Sequence, residues 1–222
     1  MNPAPGLAAQ AVLLCAGRGS RLGGICKGRI LVDGEPLVVR QLRVMRQAGL
    51  KRAVVVMGFE ADKIAEILQG AAQDLTGIEV VPMRLPQAEI TDDIQVSVAF
   101  GLRAVSSSPH LGLFMTLVDL PLLQASHYHA VFSHAQASGA DIAMPQNNAG
   151  VPGHPLFIRA EALAAMPLES PAFRLRDAIR GGALQVRPMA TEDPAHFTDL
   201  DTAQDAQALM ARDGLKIVIP LR

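Results

Sequence analysis

Cysteine is scarce: the 222-residue chain has only Cys15 and Cys26. That count argues against a disulfide-stapled scaffold. A basic excess is missing as well. Twenty Lys and Arg against 21 Asp and Glu leave a net charge of -1, which removes the broad electrostatic grip that nucleic acid requires. No apolar run approaches the ~18 residues of a membrane span. Residues 1–14 lack the basic start of a secretion signal. The expectation is a cytoplasmic protein with no nucleic-acid or membrane partner. What is present is apolar bulk, 50% of residues, enough for one sizeable core. No linker or repeat divides it, so residues 1–222 read as a single domain. Cys15 lies in an apolar run and reads as a buried small side chain, whereas Cys26, in a loop, is free to be exposed.

Strand and helix patterns alternate along the chain. Ala11–Cys15, Arg52–Met57, Ile78–Pro82, Leu111–Val118, Asp141–Pro145, Leu156–Ile158 and Leu184–Pro188 read as strands. Helical spacing covers 36–48, 61–68, 96–105, 126–137, 161–166, 173–179 and 202–210. LVDGEP at 31–36 looks like a turn, and Lys216–Pro220 like a further edge strand. Strands without polar alternation are buried on both faces, which predicts an α/β, Rossmann-like fold with a mostly parallel sheet covered by helices on both sides. Ligands of such sheets bind at the carboxyl ends of the strands. The loops to watch are therefore 16–28, 58–60, 83–95, 119–124 and 146–155.

The first of these loops follows a strand and carries five glycines with Arg18, Arg21 and Lys27. Glycines let backbone N–H groups approach an anion, and the cations neutralise it. Gly17, Gly19 and Gly23 are spaced GxGxxxG, not GxGxxG, and no second strand with its ribose-binding acid follows at the right distance; Glu60 comes too late. Lys27 lacks the Ser or Thr neighbour of a Walker P-loop. What remains is a plain turn or a triphosphate held for nucleotidyl transfer.

The run LCAGRGSRLG at 14–23, with Lys27 and then GEPL at 34–37, resembles the opening of the MobA/MocA-like nucleotidyltransferases. That resemblance implies that Leu14, Ala16, Gly17, Arg18 and Gly19 wrap the triphosphate and base, and that Arg21 and Lys27 stabilise charge as the α-phosphorus is attacked. Asp119, in VDLP, resembles the family's metal-binding aspartate, and Asp201, in DLDT, a second ligand for Mg²⁺. On residue type alone, Asp119 has an alternative reading as a turn residue or helix cap, and Thr202 with Asp205 as an ordinary helix start. Gly153, His154 and Pro155, with Phe157 one position early, resemble a segment of the molybdenum cofactor cytidylyltransferase branch that lines the acceptor pocket. A structural histidine is the plainer reading of His154. The loop 86–97 departs from the family pattern: only Ser97, expected to touch the nucleotide, and Gly101-Leu102 fit. Asp92 and Asp93 there would repel phosphate unless they bind metal or face outward.

Taken together, these likenesses imply Mg²⁺-dependent transfer of CMP from CTP to the phosphate of molybdopterin, releasing pyrophosphate. Ala16 ahead of Gly17 leans towards CTP. A GTP-dependent enzyme, another phosphorylated small-molecule acceptor, and a silent nucleotide-binding accessory of a molybdoenzyme stay open. The partners implied are a nucleoside triphosphate, the acceptor, and a molybdoenzyme or cofactor-delivery protein.

Overall fold

The computed structural model describes Leu7 and residues 9–91, 93–105 and 112–221. Its strands are β1 (Gln10–Cys15), β2 (Leu31–Val32), β3 (Glu35–Pro36), β4 (Arg52–Met57), β5 (Glu79–Arg84), β6 (Gly112–Leu117), β7 (Ile142–Gln146), β8 (Leu156–Arg159), β9 (Val186–Ala190) and β10 (Ile217–Val218). Its helices are α1 (Leu37–Gln47), α2 (Ala61–Gly70), α3 (Ile94–Val105), α4 (Ala125–Ser138), α5 (Ala160–Ala165), α6 (Leu175–Arg180) and α7 (Ala203–Asp213). A seven-stranded sheet runs β5-β4-β1-β6-β8-β7-β9. Its pairs are parallel except that β8 runs antiparallel to both β6 and β7. The α/β, Rossmann-like expectation holds, in the form of a mixed sheet.

Alternate residues of β1 explain its unbroken burial. Ala11, Leu13 and Cys15 enter a core shared with α1, α2, α4 and α7. Val12, Leu14 and Ala16 enter the opposite core, with α3, α5 and α6. Gly101 is the close-approach point of α3 on the sheet: a Cβ there would lie 2.7 Å from Val12 Cγ1. The 31–36 segment is more than the expected turn. Asp33 and Gly34 take positive φ, 54° and 84°, and join β2 to β3 as a tight hairpin. β10 pairs with β2 to complete a small three-stranded sheet. Leu111, expected in the β6 strand, and Asp92 lie outside the described residues.

β1 and β6 are neighbours at the place where the strand order reverses. Crevices beyond the carboxyl ends of strands at such a switch point are where α/β sheets bind ligands.

Candidate functional site

The loop after β1 and the loop after β6 meet at that crevice. Val118 N donates to Leu14 O at 3.1 Å, and Phe59 N, from the loop after β4, donates to Ala16 O at 3.2 Å. A Cβ at position 58 would sit 2.8 Å from Ala16 O, so Gly58 allows this approach. The Asp119 turn is fixed from behind by α1: buried Gln41 donates to Leu120 O at 2.6 Å and Arg40 Nε to Pro121 O at 3.0 Å. Leu200 N donates to Asp119 O at 2.8 Å, which brings the 199–202 segment alongside.

These contacts bring four side chains together, Arg21, Lys27, Asp119 and Asp201. Lys27 Nζ donates to Asp119 Oδ2 at 2.5 Å and also to Asp201 Oδ1. Arg21 Nη1 donates to the other Asp201 oxygen at 3.0 Å, its side chain largely exposed. Burial alone would push Lys27 down, but the two carboxylates outweigh it and hold the ammonium above its ordinary pKa. Asp199 was not singled out from the sequence; it is exposed at the surface, yet loss of solvent around its carboxyl, with Asp119 and Asp201 nearby, pushes that group up to about 7. Three carboxylates thus compete for one lysine. Asp119 Oδ1 is buried and has no hydrogen-bond partner among the described residues. Oxygen donors with an orphaned lone pair fit a hard divalent cation. Asp119 and Asp201 are the residues that would hold it. Thr202 and Asp205 meanwhile form the helix cap read from sequence: Asp205 N donates to Thr202 Oγ1 at 3.1 Å and Thr202 N to Asp205 Oδ2 at 2.7 Å. The cap of α7 therefore orients Asp201 towards Lys27.

A cavity of about 190 Å³ opens beside this cluster, lined by Leu14, Ala16, Gly17, Lys27, Ser97 and Asp119 among the expected residues. Thr91 and Ile94 also line it; they come from the departing loop and were not anticipated. Arg18 and Gly19 are placed differently. Arg18 Nη2 donates to Ile90 O at 2.9 Å, tying the glycine loop to the 86–93 segment. Gly19, at φ 57°, receives Leu22 N and Gly24 N on its carbonyl, and a Cβ there would lie 1.9 Å from Ile25 O. Its glycine is required by the turn. Asp93 faces away from the cavity: its Oδ1 accepts Gln95 N at 3.0 Å and its Oδ2 lies 3.6 Å from Arg174 Nε.

A second cavity, about 290 Å³, shares Leu14, Ile94 and Leu117 with the first. Gly153 and His154 line it, whereas Pro155 is buried beneath. Met115, Met144 and Leu156 are part of its wall, and α6 contributes Leu175, Arg176, Ile179 and Arg180. Burial pushes His154 down, so its imidazole is neutral at pH 7. Behind it, His154 N donates to His196 O at 3.0 Å and His196 Nδ1 lies 2.7 Å from His154 O. His127, Asp193 and His196 place their donor atoms within 4.8 Å of one another. His127 Nδ1 accepts Gln124 N at 2.8 Å, however, which leaves Nε2 as the N–H donor to Asp193 Oδ2, 3.1 Å away. The group therefore braces the His154 loop and does not present a set of free metal lone pairs.

Glu60, discounted as a ribose acid, fixes the glycine loop. Its carboxylate accepts both Arg29 Nη1 contacts, at 2.7 and 2.8 Å, Lys63 Nζ at 2.7 Å and the Cys26 backbone N–H at 2.9 Å. Burial opposes ionisation, but Arg29, Lys63 and that N–H hold the carboxyl at about 2. The folded pKa is depressed, so its stabilisation is present above the ordinary value of about 4.3 and is lost as pH falls towards 2. Glu60→Gln should therefore melt below the wild type at pH 7, and the gap should narrow between about pH 4 and pH 2. A gap that is constant over that range would contradict the assignment. Cys26, expected to be free for exposure, is buried: its N–H is tied to Glu60 and its Sγ lies 3.7 Å from Cys15 Sγ.

Among the described residues no helix is long and apolar enough to cross a membrane. The curated relatives include the bifunctional protein GlmU of Geobacter sulfurreducens, 30% identical over 132 residues, which are 59% of this chain and 25% of that protein. The chain thus spans about a quarter of the length of that relative. A nucleotidyl transferase from Methanothermobacter thermautotroptrophicus shares the fold at TM-score 0.69 and 20% identity, covering 93% of this chain and 96% of that one. Molybdopterin-guanine dinucleotide biosynthesis protein A from Archaeoglobus fulgidus does so at TM-score 0.60 and 16% identity, covering 92% and 98%. A family model described as a MobA-like NTP transferase domain matches residues 11–186. The chain belongs to the MobA-like NTP transferase family.

Proposed function

We propose that this protein transfers CMP from CTP to the phosphate of molybdopterin, with Mg²⁺ as the cofactor and pyrophosphate as the leaving product. The observation that carries the reading is the adjacency of the two cavities, which share Leu14, Ile94 and Leu117, with Lys27 and Asp119 lining the first and His154 the second. The nucleotide occupies the first, against Leu14, Ala16, Gly17 and Ser97. The acceptor occupies the second, against Gly153 and His154. An acceptor phosphate oxygen attacks the α-phosphorus in line with the departing pyrophosphate. That oxygen is already anionic near neutral pH, so no strong general base is needed. Neutral His154 orients the acceptor by hydrogen bonding.

Charge develops on the phosphoryl oxygens, and fixed cations aimed at it lower the barrier. Lys27 and Arg21 supply two of them. The divalent ion, held by Asp119 and Asp201, adds Lewis-acid stabilisation when bound. With Lys27 already spanning both aspartates, the chain itself keeps these carboxylates from repelling the triphosphate. Ala16 supports CTP over GTP, since the family's GTP-leaning version of this loop has glycine in its place. The four nucleotides, each with Mg²⁺, test this by thermal stabilisation: CTP should raise the melting temperature most, and a larger rise with GTP would transfer the reading to guanylyl transfer. A nucleotide-binding accessory role is favoured by one observation, the departed loop's Thr91 and Ile94 in the nucleotide cavity; it predicts stabilisation by nucleotide without turnover.

The second cavity also carries a specificity expectation. Its wall is largely aliphatic, and Arg176 and Arg180, one helical turn apart, are its guanidinium groups. Arg180 has no hydrogen-bond or ion-pair partner among the described residues. Replacing both with Ala should raise the acceptor KM about tenfold, the loss of a charge-assisted hydrogen bond, and leave the nucleotide KM within about twofold. Equal rises in both would contradict an acceptor-side role.

A further inference from the structure

Cys15 and Cys26 are the only cysteines of the chain, and both line the first cavity. Each is about 1% exposed, so the way to their sulfur atoms is through that cavity. The two sulfurs lie 3.7 Å apart. A Cβ at position 28 would sit 2.5 Å from Cys15 Sγ, so Gly28 is what leaves the pair its space. Nothing in the transfer chemistry uses either thiol.

We propose that Cys15 and Cys26 form an oxidisable dithiol site within the nucleotide cavity, which a peroxide converts to a disulfide that disables nucleotide binding. The part concerning the nucleotide rests on the reading given above. The mechanical consequence follows from where each cysteine is anchored. A disulfide needs a sulfur separation of about 2.05 Å, so the sulfurs must close by roughly 1.7 Å. Cys15 belongs to β1, which is hydrogen-bonded on both sides by β4 and β6. Cys26 belongs to a loop held at this point by its N–H on Glu60 and by its carbonyl, which accepts Arg29 N at 3.0 Å, with no strand ladder on either side. The shift therefore falls on Cys26, and its chain neighbour Lys27, which joins Asp119 to Asp201, moves with it.

The chemistry balances with one peroxide per pair. The Cys26 thiolate attacks a peroxide oxygen, the O–O bond breaks, and hydroxide leaves as water on taking up a proton; Cys26 becomes a sulfenic acid. The Cys15 sulfur then attacks the Cys26 sulfur, the S–O bond breaks, and the leaving hydroxide takes the Cys15 proton. Two thiols and one hydrogen peroxide yield one disulfide and two waters.

The test treats the full-length protein with hydrogen peroxide, with and without CTP and Mg²⁺. Intact mass, free-thiol count, nucleotide-dependent thermal shift and pyrophosphate release are then read. The expected result is a loss of about 2 Da and of both thiols, with the thermal shift abolished and turnover down at least about tenfold. A thiol reductant should restore all four, and bound nucleotide should slow the mass change. Cys15→Ser and Cys26→Ser, each compared with its own untreated activity, should no longer show a reductant-reversible loss with the 2 Da change. The proposal is overturned if the disulfide forms while the nucleotide shift is unchanged, or if the sulfurs oxidise separately without pairing. The mass and thiol readouts need no turnover. A protein that forms the disulfide and loses its CTP shift, yet never releases pyrophosphate, would overturn the transfer reading and leave the dithiol site standing.

Discussion

Asp119→Asn should fold normally and lose at least about 10²-fold in kcat. The substitution keeps the shape of the side chain and alters one oxygen and its charge. Structural support for this residue runs through its backbone, whose carbonyl accepts Leu200 N at 2.8 Å, and through the Gln41 and Arg40 bonds to the next two residues. None of these involves the carboxylate, and Lys27 keeps its Asp201 partner, so the fold should persist with only a modest fall in melting temperature without metal. The carboxylate has a different set of dependents: Lys27 on one oxygen, and an orphaned, buried second oxygen that suits a cation. Loss of the Mg²⁺-dependent part of the thermal shift should accompany the loss of turnover. A variant with near-normal kcat and an intact Mg²⁺ response would remove Asp119 from the metal site.

Lys27→Met should produce a comparable fall, about 10²- to 10³-fold in kcat/KM, since it removes a fixed cation from the developing charge. The accompanying stability change separates this from a simple loss of structure. Lys27 and Asp119 are both mostly buried, with 19% and 11% of their side chains exposed. Removing the ammonium leaves the buried Asp119 carboxylate without its cation beside the partly exposed Asp201, at a cost of roughly 1–3 kcal/mol in the metal-free protein. It also removes the group that competes with a divalent ion for them. Mg²⁺ should therefore stabilise Lys27→Met more than it stabilises the wild type. Equal Mg²⁺ shifts in the two proteins would mean that Lys27 and the cation do not share the site.

Much of this arrangement could be read from local pattern. Asp119 follows a continuous apolar strand, and Thr202 with Asp205 is a capping box; both depend on residues close in sequence. Lys27 and Asp201 were found as separate motifs, but their direct contact spans 174 positions and exists only because α7 packs on the same face as α1. Glu60 escaped because its work is done between two loops of neighbouring strands, 34 residues apart for its bond to Cys26 N; searched for as a ribose acid, it stood at the wrong distance. Arg176 and Arg180 look like the solvated side of a short helix until α6 is seen to roof a cavity. Asp199 is perturbed by loss of solvent and by Asp119 and Asp201; the sequence sets Asp201 two residues away but does not bring Asp119 near it. The small hairpin at 31–36 was legible as a turn but not as a sheet, because its partner β10 arrives almost two hundred residues later. The buried position of Cys26 likewise depends on packing against Cys15, eleven residues earlier, which the loop's own pattern does not show.

The central claim is that these groups carry out nucleotidyl transfer. The most direct measurement is pyrophosphate release by the purified protein with each of the four nucleoside triphosphates and Mg²⁺, with and without molybdopterin. The account predicts release that requires CTP, Mg²⁺ and molybdopterin together, with CMP recovered on the acceptor and the activity abolished in Asp119→Asn. Nucleotide-dependent thermal stabilisation with no pyrophosphate from any of the four, molybdopterin present, would contradict it.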